Sequence, residues 1–191
     1  MRLFIAVEID DAVRRVAATA GEELRQAIGP ALKARWVPPE NMHLTVRFIG
    51  QVDDDRAPAL IDALTRPLDV APFDLELGGC GAFPPSGPPR VLWMGLTRGL
   101  SSLSLMHEAC NQRLRPFGFE PEGRPYSAHL TLARIKDAPK GAGAAAREGL
   151  RRVASHRATC HVTRATIFQS HLSPKGPRYE PVGFAALKAE S

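Results

Sequence analysis

The chain has 191 residues, with 44% hydrophobic and 24% charged side chains, the proportions of an ordinary globular protein with an interior to bury. Its formal net charge of +5 mildly favours anionic partners such as phosphates or RNA, without the dense basic tracts of a dedicated nucleic-acid binder. Three widely spaced cysteines, Cys80, Cys110 and Cys160, form no CxxC, which argues against a disulfide framework or a zinc site and for free thiols in a reducing cytoplasm.

Leu3 to Ile9 is rich in Val, Ile and Phe and predicts a buried strand. Glu8 and Asp10 interrupt it, so it is too short and too polar for a signal peptide, and no run in the chain is long enough to span a bilayer. Asp10 or Asp11 then offers an N-cap to a helix over Ala12 to Ile28, with Val13, Val16, Ala17, Ala20 and Leu24 on one face. Gly29-Pro30 stops it. Arg35 to Val37 is a brief extended piece, Pro38-Pro39 a turn, and His43 to Ile49 a strand closed by Gly50.

Asp53-Asp54-Asp55 caps a second helix, ended by Pro67. Phe73 to Leu77 alternates apolar and acidic residues, as in a half-exposed antiparallel strand. Gly78 to Pro89 reads as a long turn around Phe83, and Val91 to Leu96 as a returning strand. A third helix follows over Leu100 to Leu114, then a loop over Pro116 to Pro125, then a strand over Tyr126 to Ile135. Lys140 to Ala154 predicts a fourth helix, Ala158 to Phe168 a strand, Ser170 to Pro181 a loop and Val182 to Leu187 a last strand. Neighbouring strands without helices between them favour antiparallel pairing, so the fold class is α+β, with residues 1–191 forming a single domain of two lobes.

One motif occurs twice. His43-Leu44-Thr45-Val46-Arg47-Phe48 and His129-Leu130-Thr131-Leu132-Ala133-Arg134 each present a His-x-Thr followed by an arginine. Strand alternation puts His43, Thr45 and Arg47 on one face and Leu44, Val46 and Phe48 on the other. In the second copy His129 and Thr131 share a face, and Arg134 falls on the leucine parity unless the strand bulges near Ala133. Imidazoles titrate near neutrality, so one can serve as base and the other as acid. Threonine hydroxyls and arginines suit phosphoryl oxygens. Two His, two Thr and one or two Arg therefore fit in-line attack on a phosphodiester. The arrangement calls for no metal or other cofactor, and the chain has no H-E-x-x-H and no P-loop. The loop from Ser173 to Tyr179 carries Lys175 and Arg178, which could bring positive charge to an RNA backbone. Trp36, Phe83 and Tyr126 are aromatic candidates near the motifs, with Phe48 and Tyr126 assigned to packing.

At these residues the sequence resembles the 2H phosphoesterase superfamily, and within it the RNA 2′,3′-cyclic phosphodiesterases, also called 2′-5′ RNA ligases. The resemblance takes in Arg2 to Val7, Trp36-Val37, Phe48-Ile49-Gly50, Pro125 to His129, and Ser170 to Tyr179. It implies two lobes of antiparallel sheet and helices, related by a pseudo-twofold, with the His-x-Thr strands lining a central cleft. It implies a reaction that opens the 2′,3′-cyclic phosphate at an RNA end to a 2′-phosphate. His43 would be the proton donor and His129 the proton acceptor. Thr45, Thr131 and Arg134 would bind the phosphate, with Arg47 a further candidate. The expected partner is RNA with 2′,3′-cyclic phosphate ends, met by a cytoplasmic monomer. The alternatives are 2′-5′ RNA end joining by the reverse reaction, a phosphodiesterase of small cyclic nucleotides, and a non-catalytic RNA-end-binding module.

Overall fold

The computed structural model describes residues 1–138, 142–174 and 176–188. The chain runs β1 (Arg2–Glu8), α1 (Asp11–Ile28), β2 (Lys33–Trp36), β3 (His43–Gln51), α2 (Ala57–Thr65), β4 (Leu68–Asp69), β5 (Phe73–Phe83), β6 (Val91–Arg98), α3 (Leu100–Leu114), β7 (Leu130–Asp137), α4 (Ala142–Val153), β8 (Ala158–Val162), β9 (Arg164–His171) and β10 (Arg178–Lys188). The strands join in the order β4-β10-β9-β1-β3-β7-β6-β5-β8, with β2 added beside β7. The architecture is α+β.

A pseudo-twofold runs through the middle of this order. β3 and β7 meet antiparallel at Leu44 and Leu130, the second residue of each motif. An antiparallel register centred on that pair sets the histidine of each motif beside the threonine of the other. Outward on one side lie β1, β9 and β10, and on the other β6, β5 and β8, every step antiparallel. Helices α2 and α3 pack on the first lobe, and α1 and α4 on the second.

Helix α1 follows from its sequence. Asp10 caps it, its side chain accepting a hydrogen bond of 2.8 Å from the backbone N–H of Val13. Val13, Ala17, Ala20, Gly21, Leu24 and Ile28 form its buried stripe. α4 rests against it at Gly149, where a Cβ would come within 2.9 Å of Leu24.

Several expectations need correction: α2 has Arg56 at its N-cap position with no side-chain cap from Asp53 to Asp55, and the strand expected from Tyr126 begins at Leu130. Gly78 to Phe83 is not a turn but the second half of β5, paired with β6. Glycine is needed there because Trp93 lies across the strand: a Cβ on Gly81 would sit 2.3 Å from the indole. The run Ala158 to Phe168 is two strands, β8 and β9, separated by Thr163 and built into opposite lobes. The last loop is shorter than expected, because β9 continues to His171 and β10 begins at Arg178.

Candidate active site

The cleft owes its lining to a defect repeated in both motifs. On β1, Ile5 and Ala6 are consecutive, yet their partners on β3 are Arg47 and Thr45, so Val46 is an extra residue. On β6, Leu92 and Trp93 are consecutive, yet their partners on β7 are Ala133 and Thr131, so Leu132 is extra. Val46 and Leu132 are both the fourth residue of their motif. A bulge of this kind reverses the facing of every residue beyond it.

Arginine placement changes accordingly. Arg134 returns to the face of Thr131 and lines the cleft with it. Arg47 turns the other way, and the expectation that it shares the face of His43 is wrong. It is 5% exposed, donates to the backbone carbonyl of Glu120, and pairs with the Glu122 carboxylate at 3.2 Å. Phe48, expected in the core, is 48% exposed and lines the cleft. The signal for this exchange lies in the motif itself: aligned position by position, Arg134 corresponds to Phe48 and Arg47 to Ala133.

Both imidazoles are oriented in the same manner. His43 Nδ1 lies 2.8 Å from the carbonyl oxygen of Asn41, and His129 Nδ1 lies 2.7 Å from that of Ser127, each carbonyl two residues upstream. A carbonyl only accepts, so Nδ1 carries the hydrogen and donates. The neutral ring then has its lone pair on Nε2. His43 Nε2 lies 3.1 Å from the Thr45 hydroxyl, which can donate to it. The Asn41 side chain donates to the carbonyl of Pro177 at 3.0 Å, so one residue aims His43 and tethers the loop before β10.

Burial holds the His43 pKa below the ordinary imidazole value; the Asn41 carbonyl acts against this, and the charges of Arg134 and His129 lower it further. His129 is lowered in the same way, by burial first, with Ser127 opposing and Arg134 assisting. Arg134 is thus within electrostatic reach of both rings.

The cleft of about 820 Å³ is walled by His43, Thr45, Thr131 and Arg134 at its floor. Phe4, Phe48 and Tyr179 give it an aromatic flank, with the Phe4 and Tyr179 rings 5.0 and 5.2 Å from that of His43. His129 stands apart from these wall residues, its ring edge-on to Phe83 at 5.0 Å and 6.4 Å from Trp93. Trp36 and Arg178 also line the cleft, Arg178 pairing with Glu180 at 3.2 Å. Lys175 lies outside the described residues. Tyr126 packs behind β3, as expected, and its hydroxyl donates to the Thr45 carbonyl at 3.1 Å. Among the described residues no three His, Cys, Asp or Glu side chains gather as a metal site, and no helix is long and apolar enough to cross a membrane.

The profile of the family described as LigT like Phosphoesterase matches residues 7–93 and 99–179. The chain belongs to the LigT-like phosphoesterase family. Among its relatives is an RNA 2′,3′-cyclic phosphodiesterase of Archaeoglobus fulgidus, 32% identical over 182 residues, or 94% of this chain and 97% of the relative. Another bearing the same name, from Thermotoga maritima, is 30% identical over 181 residues, or 94% and 92% of the two chains. Among solved structures, one from Thermus thermophilus superposes with a TM-score of 0.76 at 28% identity, over the whole of both chains. E. coli LigT complexed with 3′-AMP superposes with a TM-score of 0.71 at 23% identity, over 97% of each chain, a likeness of fold.

Proposed function

We propose that this LigT-like phosphoesterase hydrolyses the 2′,3′-cyclic phosphate at an RNA end to a 2′-phosphate. The observation that carries the assignment is the pair of matched imidazoles, each tied through Nδ1 to a carbonyl two residues upstream, on motifs whose strands meet at Leu44 and Leu130. The names of the relatives supply the substrate class.

In the proposed step, His129 Nε2 takes a proton from water as the water oxygen attacks phosphorus. The bond from phosphorus to O3′ breaks, and His43, protonated at Nε2, gives that proton to O3′. His129 suits the base, because among the described residues its Nε2 has no hydrogen-bond partner and can accept from water. His43 takes the acid role that the family resemblance implies, with the Thr45 hydroxyl 3.1 Å from its Nε2 able to accept the Nε2–H of the imidazolium. Thr45, Thr131 and Arg134 hold the phosphoryl oxygens as charge builds there. Neither histidine needs a metal for these transfers.

The test is incubation with an oligoribonucleotide ending in 2′,3′-cyclic phosphate, in excess chelator, with the product identified by phosphorus NMR. A 2′-phosphate is the expected product. A 3′-phosphate would reverse the leaving group, and tight binding without conversion would make the protein an end-binding module.

A further inference from the structure

Arg35 and Arg134 stand side by side in the cleft, and among the described residues no carboxylate pairs with either. They are register partners on β2 and β7, and both line the wall. Directly opposite residues of antiparallel strands have Cβ atoms about 4.5–5.5 Å apart, and like charges there repel. Glu40 is the only acidic side chain among the described cleft walls, and it bonds to neither arginine. A retained like-charge pair facing an open cleft is what an anion-binding surface requires before its anion arrives.

A third cation completes the arrangement. Arg2 lies two residues before Phe4 on the same face of β1, about 7 Å farther along the strand from the residue paired with His43, and it lines the cleft. The guanidinium of Arg35 rests against the loop before β10, where a Cβ on Gly176 would meet it at 3.1 Å. Tyr179 lines the same cleft within electrostatic reach of all three: burial raises the pKa of its hydroxyl, and Arg134, Arg2 and Arg35 act against that rise. Arg134 faces the reacting centre, which leaves Arg2 and Arg35 with charge that a single terminal phosphate does not use.

We propose that Arg2 and Arg35, with the Tyr179 hydroxyl, bind a second phosphate of the substrate, the internucleotide phosphodiester immediately 5′ of the reacting end. This rests on the phosphodiesterase assignment above. It makes the preferred substrate an oligonucleotide of at least two residues, because a cyclic mononucleotide lacks that phosphate.

The experiment compares three substrates: a 2′,3′-cyclic mononucleotide, a dinucleotide with the same cyclic end, and that dinucleotide with a neutral methylphosphonate linkage. The wild type is expected to favour the phosphodiester over the methylphosphonate by about tenfold or more in kcat/KM, the size of a charge-assisted hydrogen bond. The Arg2→Gln/Arg35→Gln double variant is expected to lose that preference and to keep its kcat/KM on the mononucleotide. Equal rates for the two linkages, or a parallel loss on the mononucleotide, would overturn the proposal. Calorimetric binding of the two dinucleotides bearing a terminal 2′-phosphate supplies a readout without turnover. A tenfold difference in Kd with no cyclic end opened would retain the second-phosphate site and reject the hydrolase. Equal Kd values would reject the site whether or not the cyclic ends are opened.

Discussion

Phe48 and Arg134 are counterparts: each stands five residues after its motif histidine, and each is turned into the cleft by a bulge at the fourth position. The two halves therefore line the cleft with unlike groups, a cation from β7 and an aromatic ring from β3. A substrate with a charged end and an attached base has a defined orientation in such a cleft.

Arg134 and Arg47 are expected to separate cleanly on substitution. Arg134→Gln removes a charge from the reacting centre and should lower kcat/KM by about 10²–10³, the cost of one lost donor at developing negative charge. Its thermal midpoint should hold or rise, because the repulsion with Arg35 is relieved. Arg47→Ala should act on stability instead. It loses a buried side chain and its pairing with Glu122, about 1–3 kcal/mol or several degrees in Tm, with kcat changed less than about threefold. A larger kinetic loss for Arg47→Ala than for Arg134→Gln would contradict the bulged register.

The histidines should be individually indispensable. His43→Asn and His129→Asn are each expected to lower kcat by at least about 10²-fold, with circular dichroism and Tm close to wild type. Near-normal turnover by either variant would end the paired-imidazole mechanism.

pH should act on stability and rate together. Both histidines have folded-state pKa values below the unperturbed 6.5. Well above pH 6.5 they are neutral in both folded and unfolded chains and cost nothing. As pH falls through 6.5 the unfolded chain binds protons first, and stability declines until the folded-state pKa values are passed. Tm should therefore drop between pH 7 and pH 5 more in the wild type than in His43→Asn/His129→Asn. For the reaction, kcat/KM should peak below pH 6.5, since the free enzyme needs one imidazolium. The kcat profile should lie at higher pH, because bound phosphate stabilises that imidazolium. A kcat/KM optimum above pH 7.5 would contradict this.

The bulge in β3 is held from behind. Tyr126 donates to the Thr45 carbonyl, His107 Nδ1 donates to the Val46 carbonyl at 2.7 Å, and the two rings stack at 4.4 Å. Asn111 donates to His107 Nε2 at 3.0 Å and fixes that tautomer. Tyr126→Phe keeps the stack and deletes one hydrogen bond, about 1 kcal/mol. Its kcat should fall several-fold with KM nearly constant, because Thr45 is displaced from the reacting phosphate. An unchanged kcat alongside a lowered Tm would make Tyr126 a purely structural residue.

Much of this architecture is legible in the chain. The His-x-Thr repeats, the capped helix after Asp10 and the antiparallel class follow from local pattern, because capping and alternation are local effects. The bulges do not, since an extra residue is defined only against a partner strand. That is why alternation alone puts Arg47 and Phe48 on each other's faces, while it places His43 and Thr45, which precede the bulge, correctly. The glycines of β5 look like a turn because the indole that requires them, Trp93, comes from the neighbouring strand. Arg2 and Arg35 carry no signal of their own. Their proximity to Arg134 arises from the pairing of β2 with β7 and from the lobe-to-lobe geometry.

Thr163 alone separates β8, which closes one lobe, from β9, which runs beside β1 in the other. Leu3 therefore waits for Gln169, its partner across nearly the whole chain. During synthesis the strand bearing His43 emerges early but lacks the flank built by β9 and β10, including Tyr179 and the loop tethered to Asn41. Such distant pairings carry a high loop-closure cost and slow folding. The lobe built from β5 to β8 is complete in the chain by Val162, whereas the lobe around β1 and β3 waits for β9 and β10. One lobe can close early and the other only late, so a cleft between them stays unformed until almost all of the polypeptide has left the ribosome.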